Sequence, residues 1–250
     1  VLVAAGDIAG CDTPGDEATA EVVAGLPGTV ATLGDSVYEH GTAAEFAGCY
    51  DPTWGRFKDR THPAPGNHDY GTGKATAYLA YFGVPRWYSY DLGSWHVVSL
   101  DSNCASVGGC GPGSAEEAWL RADLASHRSA PCTLAYWHHP RWSSGLHGSS
   151  TLVDGLWRAL AGAGADVVLS GHDHDYERFA PIDGVREFVV GTGGRSLYPL
   201  GAALPGSEVR QDSAFGVLVL TLHPGGYDWR FAAAAGPGFS DRGSAPCHRR

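Results

Sequence analysis

The stretch Val167-Val-Leu-Ser-Gly-His-Asp-His-Asp-Tyr-Glu-Arg178 decides how the chain is read. A short apolar run, Val167 to Leu169, stops at Ser170-Gly171 and gives way to His172 and His174. Apolar runs of this length that end in a turn signal read as buried strands. Gly171 lets the chain turn sharply where the strand stops. In α/β proteins, ligands bind outside the carboxyl ends of strands. Two imidazoles at such a point, followed by Asp173 and Asp175, have the chemistry of metal ligands with carboxylates behind them.

The same pattern recurs on both sides of that stretch. An apolar run over residues 1–5 closes at Gly6-Asp7, and Thr29 to Leu33 ends in Gly34-Asp35-Ser-Val-Tyr38. Pro63-Ala-Pro leads into Gly66-Asn67-His68-Asp69, and Thr133 to Trp137 empties into His138-His139-Pro140. Between these runs, helical spacing covers Asp16 to Leu26, Ala43 to Tyr50, residues 73–83 and Thr151 to Ala161. Another helix runs from Ser114 to His127, where Ser114 and Glu117 have capping-box spacing. Strands alternating with helices predict βαβ units and a largely parallel sheet, an α/β fold. Trp87 to Asp91 and Trp95 to Leu100 read as an antiparallel pair turning at Gly93. Glu187 to Val190, then a hairpin of Phe215 to Leu222 and Tyr227 to Ala232, predict a second, more antiparallel sheet. The tail 236–250 reads as irregular.

At 250 residues, with no linker composition, the chain is expected to form one domain over 1–250. A formal charge of -10 argues against nucleic acid or an anionic membrane as partner. No apolar run approaches the length of a membrane span. The sequence has no methionine, so the expectation is a processed chain whose signal peptide has been removed. Its six cysteines can pair in many ways. Cys104 and Cys110 flank one short loop. Cys11 and Cys49 each follow a candidate ligand loop and could meet across strand ends, which leaves Cys132 with Cys247. The alternative is a set of free thiols. Disulfides would place the protein outside the cytoplasm, secreted or otherwise in an oxidising compartment.

Asp7, Asp35, Tyr38, Asn67, His138, His172 and His174 thus follow the ends of predicted strands on five separate loops. Two cations about 3.5–4 Å apart need roughly this number of ligands, one of them shared. In their order, Gly6-Asp7, Gly34-Asp35, Gly66-Asn67-His68-Asp69, His138 and Gly171-His172-Asp-His174 resemble the five motifs of the calcineurin-like metallophosphoesterases. Tyr38, three residues after Asp35, is similar to purple acid phosphatase. Asp69 departs from that subgroup, which commonly has glutamate there, and no β-sandwich domain precedes the motifs. The resemblance implies a four-layer sandwich of two mixed β-sheets flanked by α-helices. It also implies that Asp7, Tyr38 and His174 hold one ion and Asn67, His138 and His172 the other, with Asp35 bridging. Oxygen anions suit Fe(III), and imidazole and amide suit a divalent Fe, Zn or Mn. Even after Asp7, Asp35 and a tyrosinate are counted, such a pair leaves a local positive charge for an anionic substrate.

The chemistry so implied is hydrolysis of a small phosphomonoester by a metal-bound hydroxide. His68 resembles the family's proton donor to the leaving group, and His147, on a Gly/Ser loop, is a second candidate catalytic residue. His139 reads as packing or substrate contact, and Arg195 as a surface arginine or a phosphate contact. A phosphodiesterase of the same superfamily and a non-catalytic metal- or phosphate-binding protein are the alternatives, since ligands alone do not fix the substrate.

Overall fold

The computed structural model describes residues 1–71, 73–234 and 238–248. Its first sheet has β1 (Leu2–Ala5), β2 (Thr29–Leu33) and β3 (Thr61–Ala64) running parallel. β11 (Gly216–His223) pairs antiparallel with β1, β12 (Gly226–Ala233) with β11, and β13 (Arg242–Pro246) with β12. The second sheet has a parallel centre of β5 (Trp95–Ser99), β6 (Cys132–Tyr136), β7 (Val167–Ser170) and β9 (Arg186–Val190). Antiparallel strands extend both its sides, β4 (Tyr88–Leu92) beside β5, and β8 (Tyr176–Phe179) then β10 (Ser207–Gln211) beside β9.

Period-two alternation explains why the second sheet is covered on both faces. Leu134, Tyr136, Val167 and Leu169 join the core shared with Leu2, Val30 and Leu220 of the first sheet. Their neighbours Ala135, Trp137 and Val168 pack instead with Leu120 and Leu124 of one helix (Ala115–Ser126) and Leu156 and Leu160 of another (Asp154–Gly162). On the far side of the first sheet, the helix Gly15–Ala24 packs against β11 and β12. The expected order of helix, sheet, sheet, helix is therefore present. No described helix is long and apolar enough to cross a membrane.

Several expectations change. Glu187 to Val190 and the hairpin do not share a separate antiparallel sheet, because β9 runs parallel beside β7 while β11 and β12 extend the sheet of β1. Of the tail 236–250, residues 238–248 are described, and β13 there is an ordered edge strand rather than irregular chain. β8 and β10 were hidden by their charge. Arg178 of β8 is satisfied by Asp241 and Glu208, so a polar sequence can be buried in a sheet. The helix expected over 73–83 occupies Thr76–Phe82. Ser114 caps its helix by accepting from the Glu117 N–H at 3.3 Å, but the Glu117 carboxylate accepts from Gly113, so the reciprocal bond is absent. A complete capping box forms instead at Thr42 and Glu45. Glu45 also accepts from the Glu39 N–H at 2.8 Å, which fixes the chain just after Tyr38.

Cys11–Cys49, Cys104–Cys110 and Cys132–Cys247 are bonded, the pairing expected from the sequence. Cys132–Cys247 ties the start of β6 to the end of β13 and so joins the two sheets. In the chain-entropy account a loop of that length is worth about 4–5 kcal/mol.

His96 of β5 is fully buried beneath His127, their rings stacked at 3.8 Å, with Asp91 at 3.2 Å and Asp123 at 2.7 Å. Burial alone would lower its pKa, but hydrogen bonds and charge from Asp123 and Asp91 raise it above the ordinary imidazole value. For Asp123, burial is likewise outweighed by His96, and its pKa is lowered. A raised histidine stabilises the fold below its unfolded pKa and loses that contribution as pH rises through the folded value. The carboxylate's share is lost as pH falls through its own folded value. The stability gap between wild type and His96→Gln should therefore be larger at about pH 5.5 than at about pH 9 in urea titrations. A gap that widens toward pH 9 would contradict this assignment.

Candidate metal centre

The two sheets deliver their parallel strands to one edge. Because β2 lies between β1 and β3, the loop carrying Asp35 and Tyr38 sits between the Asp7 loop and the Asn67 loop. Across from it, neighbouring β6 and β7 carry His138 and the pair His172 and His174. Three of these residues turn through the left-handed region, with φ of 60° at Asp7, 48° at Asp35 and 70° at His172. Such turns cost roughly 1–3 kcal/mol each outside glycine and cluster at functional sites. Two glycines permit the close approach. A Cβ on Gly34 would lie 2.5 Å from His138 Nδ1, and one on Gly66 would lie 2.1 Å from Asp35 Oδ1.

The side chains form two groups that share one oxygen. In the first, Tyr38 Oη lies 2.8 Å from Asp7 Oδ1, 3.1 Å from Asp35 Oδ2 and 3.2 Å from His174 Nε2. In the second, His138 Nε2 lies 3.1 Å from Asn67 Oδ1, 3.2 Å from His172 Nδ1 and 3.2 Å from the same Asp35 Oδ2. All seven expected ligands meet here.

Four of these side chains have their second polar atom committed elsewhere. Asp35 Oδ1 accepts from the His68 N–H and Asp7 Oδ2 from the His172 N–H, both at 2.8 Å. His138 Nδ1 faces the Leu33 carbonyl at 2.8 Å, and His174 Nδ1 faces Ser196 Oγ at 2.8 Å. A proton on Nδ1 of His138 aims Nε2, as a lone pair or a second N–H, at Asn67 Oδ1, Asp35 Oδ2 and His172 Nδ1. Carboxylate, amide and imidazole atoms converging this closely are held together by protons or by a cation, and the donor set suits a metal pair.

The buried carboxylates draw positive charge to the cluster. Burial alone would lower His138, yet the Asp35 carboxylate and then Asp7 raise it to about 9. Burial and the charge of His138 push His172 far below the ordinary range. Burial, then Asp35 and Asp7, hold the Tyr38 phenol well above its usual value. Asp69, the departure from the purple subgroup, points away from the ligands. It accepts from the Ser36 N–H at 3.2 Å and the Gly66 N–H at 2.9 Å, and so staples two ligand loops.

Around the centre, His68 packs its ring 4.3 Å from that of Tyr38, and its Nδ1 lies 2.8 Å from the Glu39 carbonyl. His147 is exposed, with its ring 4.4 Å from that of His172. His139 is held by Ser102. That hydroxyl accepts from the His138 and His139 N–H groups and lies 2.8 Å from His139 Nδ1. A hydroxyl that accepts twice donates its own proton, so Nδ1 is the acceptor and the ring is neutral. Burial, then the charge of His138, lowers His139 to about 3, in agreement. Arg195 spans the Tyr38 ring at 5.4 Å and pairs with Asp12 and Glu39, so its charge is largely compensated. Sequence reasoning missed Ser102, Ser196 and Tyr198, whose ring stacks on His174 at 4.0 Å. Ser102 does follow a predicted strand end, but a lone serine there carries no ligand signal, and Ser196 and Tyr198 come from a loop with no such mark.

The model of the calcineurin-like phosphoesterase family matches residues 2–176. Purple acid phosphatase 15 of Arabidopsis thaliana is 29% identical over 195 residues, 61% of this chain and 36% of its own. The chain spans about a third of the length of that curated relative. Among solved structures, GAP50, described as the anchor in the inner membrane complex of Plasmodium, superposes with a TM-score of 0.81 at 18% identity, covering 100% of this chain and 89% of its own. The purple acid phosphatase PPD1 of yellow lupin seeds gives 0.77 at 18% identity, covering 98% of this chain and 53% of its own. At that identity the superpositions speak for the fold, and the sequence match over residues 2–176 places this chain in the calcineurin-like phosphoesterase family.

Proposed function

We propose that this chain is a two-metal phosphohydrolase acting on small phosphomonoesters, of purple acid phosphatase type. The observation that carries the reading is the position of Asp35 Oδ2, within 3.1 Å of Tyr38 Oη and 3.2 Å of His138 Nε2. One oxygen in reach of both donor groups is what a bridging ligand requires. Asp7, Tyr38 and His174 would hold Fe(III), and Asn67, His138 and His172 a divalent Fe, Zn or Mn, with Asp35 shared. When bound, such a pair supplies Lewis acidity to the phosphoryl oxygens and to the attacking water.

The chain's own residues do the rest. The Glu39 carbonyl holds the proton on His68 Nδ1, which leaves Nε2 to exchange a proton with the leaving-group oxygen. His147, at the exposed rim beside His172, contacts the phosphate or its ester group. The monoester preference is supported by Tyr38 and by the relative named as a purple acid phosphatase. Three disulfides support an oxidising, extracytoplasmic location.

On one metal-loaded preparation, kcat/KM should be higher for an aryl phosphomonoester than for the bis-aryl diester. The reverse order would replace this reading with a phosphodiesterase. His68→Asn should cost on the order of 10²–10⁴ in kcat for an alkyl phosphate. The loss should be smaller for a nitrophenyl phosphate, whose leaving group needs no proton, and equal losses would remove His68 from that role. Loaded with Fe(III), the protein should absorb visible light through a Tyr38–iron charge transfer. Tyr38→Phe should abolish the band, and a colourless wild type with proven Fe(III) would refute the assignment.

A further inference from the structure

The loop 141–150 bears His147, and its Gly/Ser composition suggests a slack segment. The structure shows otherwise, because five of its backbone N–H groups end on three buried carboxylates. Glu187 of β9 accepts from Arg141 N at 2.9 Å and Trp142 N at 2.8 Å. Glu177 of β8 accepts from Ser144 N at 2.7 Å and Ser144 Oγ at 2.6 Å. Asp173, between the two histidines of the opening stretch, accepts from His147 N at 2.6 Å, Gly148 N at 3.0 Å and the Ser143 hydroxyl. Ser143 Oγ in turn accepts from Gly145 N at 2.9 Å. All three carboxylates are buried. Gly145 closes over the same cluster. A Cβ there would stand 2.4 Å from Asp173 Cγ and 2.5 Å from Asp175 Oδ2.

We infer that Asp173 is a positioning residue, which fixes His147 over the metal centre through the His147 and Gly148 backbone amides. The inference rests on the hydrolase reading above. Charge-assisted bonds from N–H to carboxylate are stronger than neutral ones. Their acceptor here is anchored between His172 and His174, so the rim is referenced directly to the ligand loop. Without them, a loop of this composition would sample many conformations, and His147 would meet the substrate in only a fraction of them. Glu177 extends the brace. Its Oε1 also accepts from Ser207 Oγ at 2.5 Å, and Ser144 binds the N–H of Leu204 at 2.9 Å.

The test is a double-mutant cycle on the metal-loaded chain, with metal content and hydrogen exchange measured alongside kcat/KM. Asp173→Asn and His147→Ala should each lower kcat/KM by about tenfold, and the double variant should fall no further than His147→Ala alone. Exchange of the His147 and Gly148 amides should quicken in Asp173→Asn at unchanged metal content. Full additivity, or unchanged exchange at those amides, overturns the inference. Should Asp173→Asn lose metal or fail to fold, the cycle of Ser143→Ala with His147→Ala decides by the same criteria, because Ser143 lies on the loop and not beside a ligand. If His147→Ala is as active as the wild type, while all variants hydrolyse phosphomonoesters, positioning of His147 is overturned and the hydrolase reading stands. If the wild-type chain, fully loaded, hydrolyses no phosphate ester, the hydrolase reading falls, and the inference built on it falls with it.

Discussion

The structure is arranged around a crowd of buried carboxylate, phenol, amide and imidazole groups. Asp7, Asp35, Tyr38, Asn67, His138, His172 and His174 bring side-chain atoms within hydrogen-bond distance of one another. Two buried carboxylates gathered so closely cost several kcal/mol unless positive charge compensates them. The left-handed turns at Asp7, Asp35 and His172 are a further cost borne at the same place. Both are held by the two sheets, whose central strands are buried and cannot relax without losing their shared core.

Topology then decides which residue takes which part. The shared carboxylate belongs to the middle strand of three parallel ones, because only that loop touches both of its neighbours. Asp69 strengthens the arrangement by tying the Ser36 and Gly66 amides together. Thr42 and Glu45 secure the chain beyond Tyr38. The loops of Asp35, Tyr38 and Asn67 are therefore braced by polar residues that are themselves no candidate ligands, in keeping with the precision that a metal centre demands.

Much of this was legible in the sequence. An apolar run that stops at glycine and is followed by Asp, Asn or His announces a strand end with a ligand on it, and all seven expected ligands meet at one edge. The pattern works because β1, β2, β6 and β7 are mostly apolar and their ends abrupt. It fails where polarity is cancelled by a partner far along the chain. β8 holds a buried Arg178, which only Asp241 and Glu208 make tolerable, and neither can be matched to it by reading locally. β10 and β13 are edge strands of mixed character, with no periodic signal strong enough to separate them from loop. Ser102, Ser196 and Tyr198 escaped for the same reason, as did the carboxylates beneath the 141–150 loop. Their roles exist only in three dimensions.

The division of donors between the sheets has one more consequence. Asp7, Asp35, Tyr38 and Asn67 come from the first sheet, and His138, His172 and His174 from the second. Each proposed set draws on both, so neither sheet by itself owns a complete binding site. An ion in either position would act as a rivet between two layers that are also joined by apolar contact, by polar bonds such as Arg178–Asp241 and Tyr136–His62, and by the Cys132–Cys247 bond. Capture of metal would then report that the layers have docked in register, and the centre would serve as an assembly checkpoint as well as a reactive one.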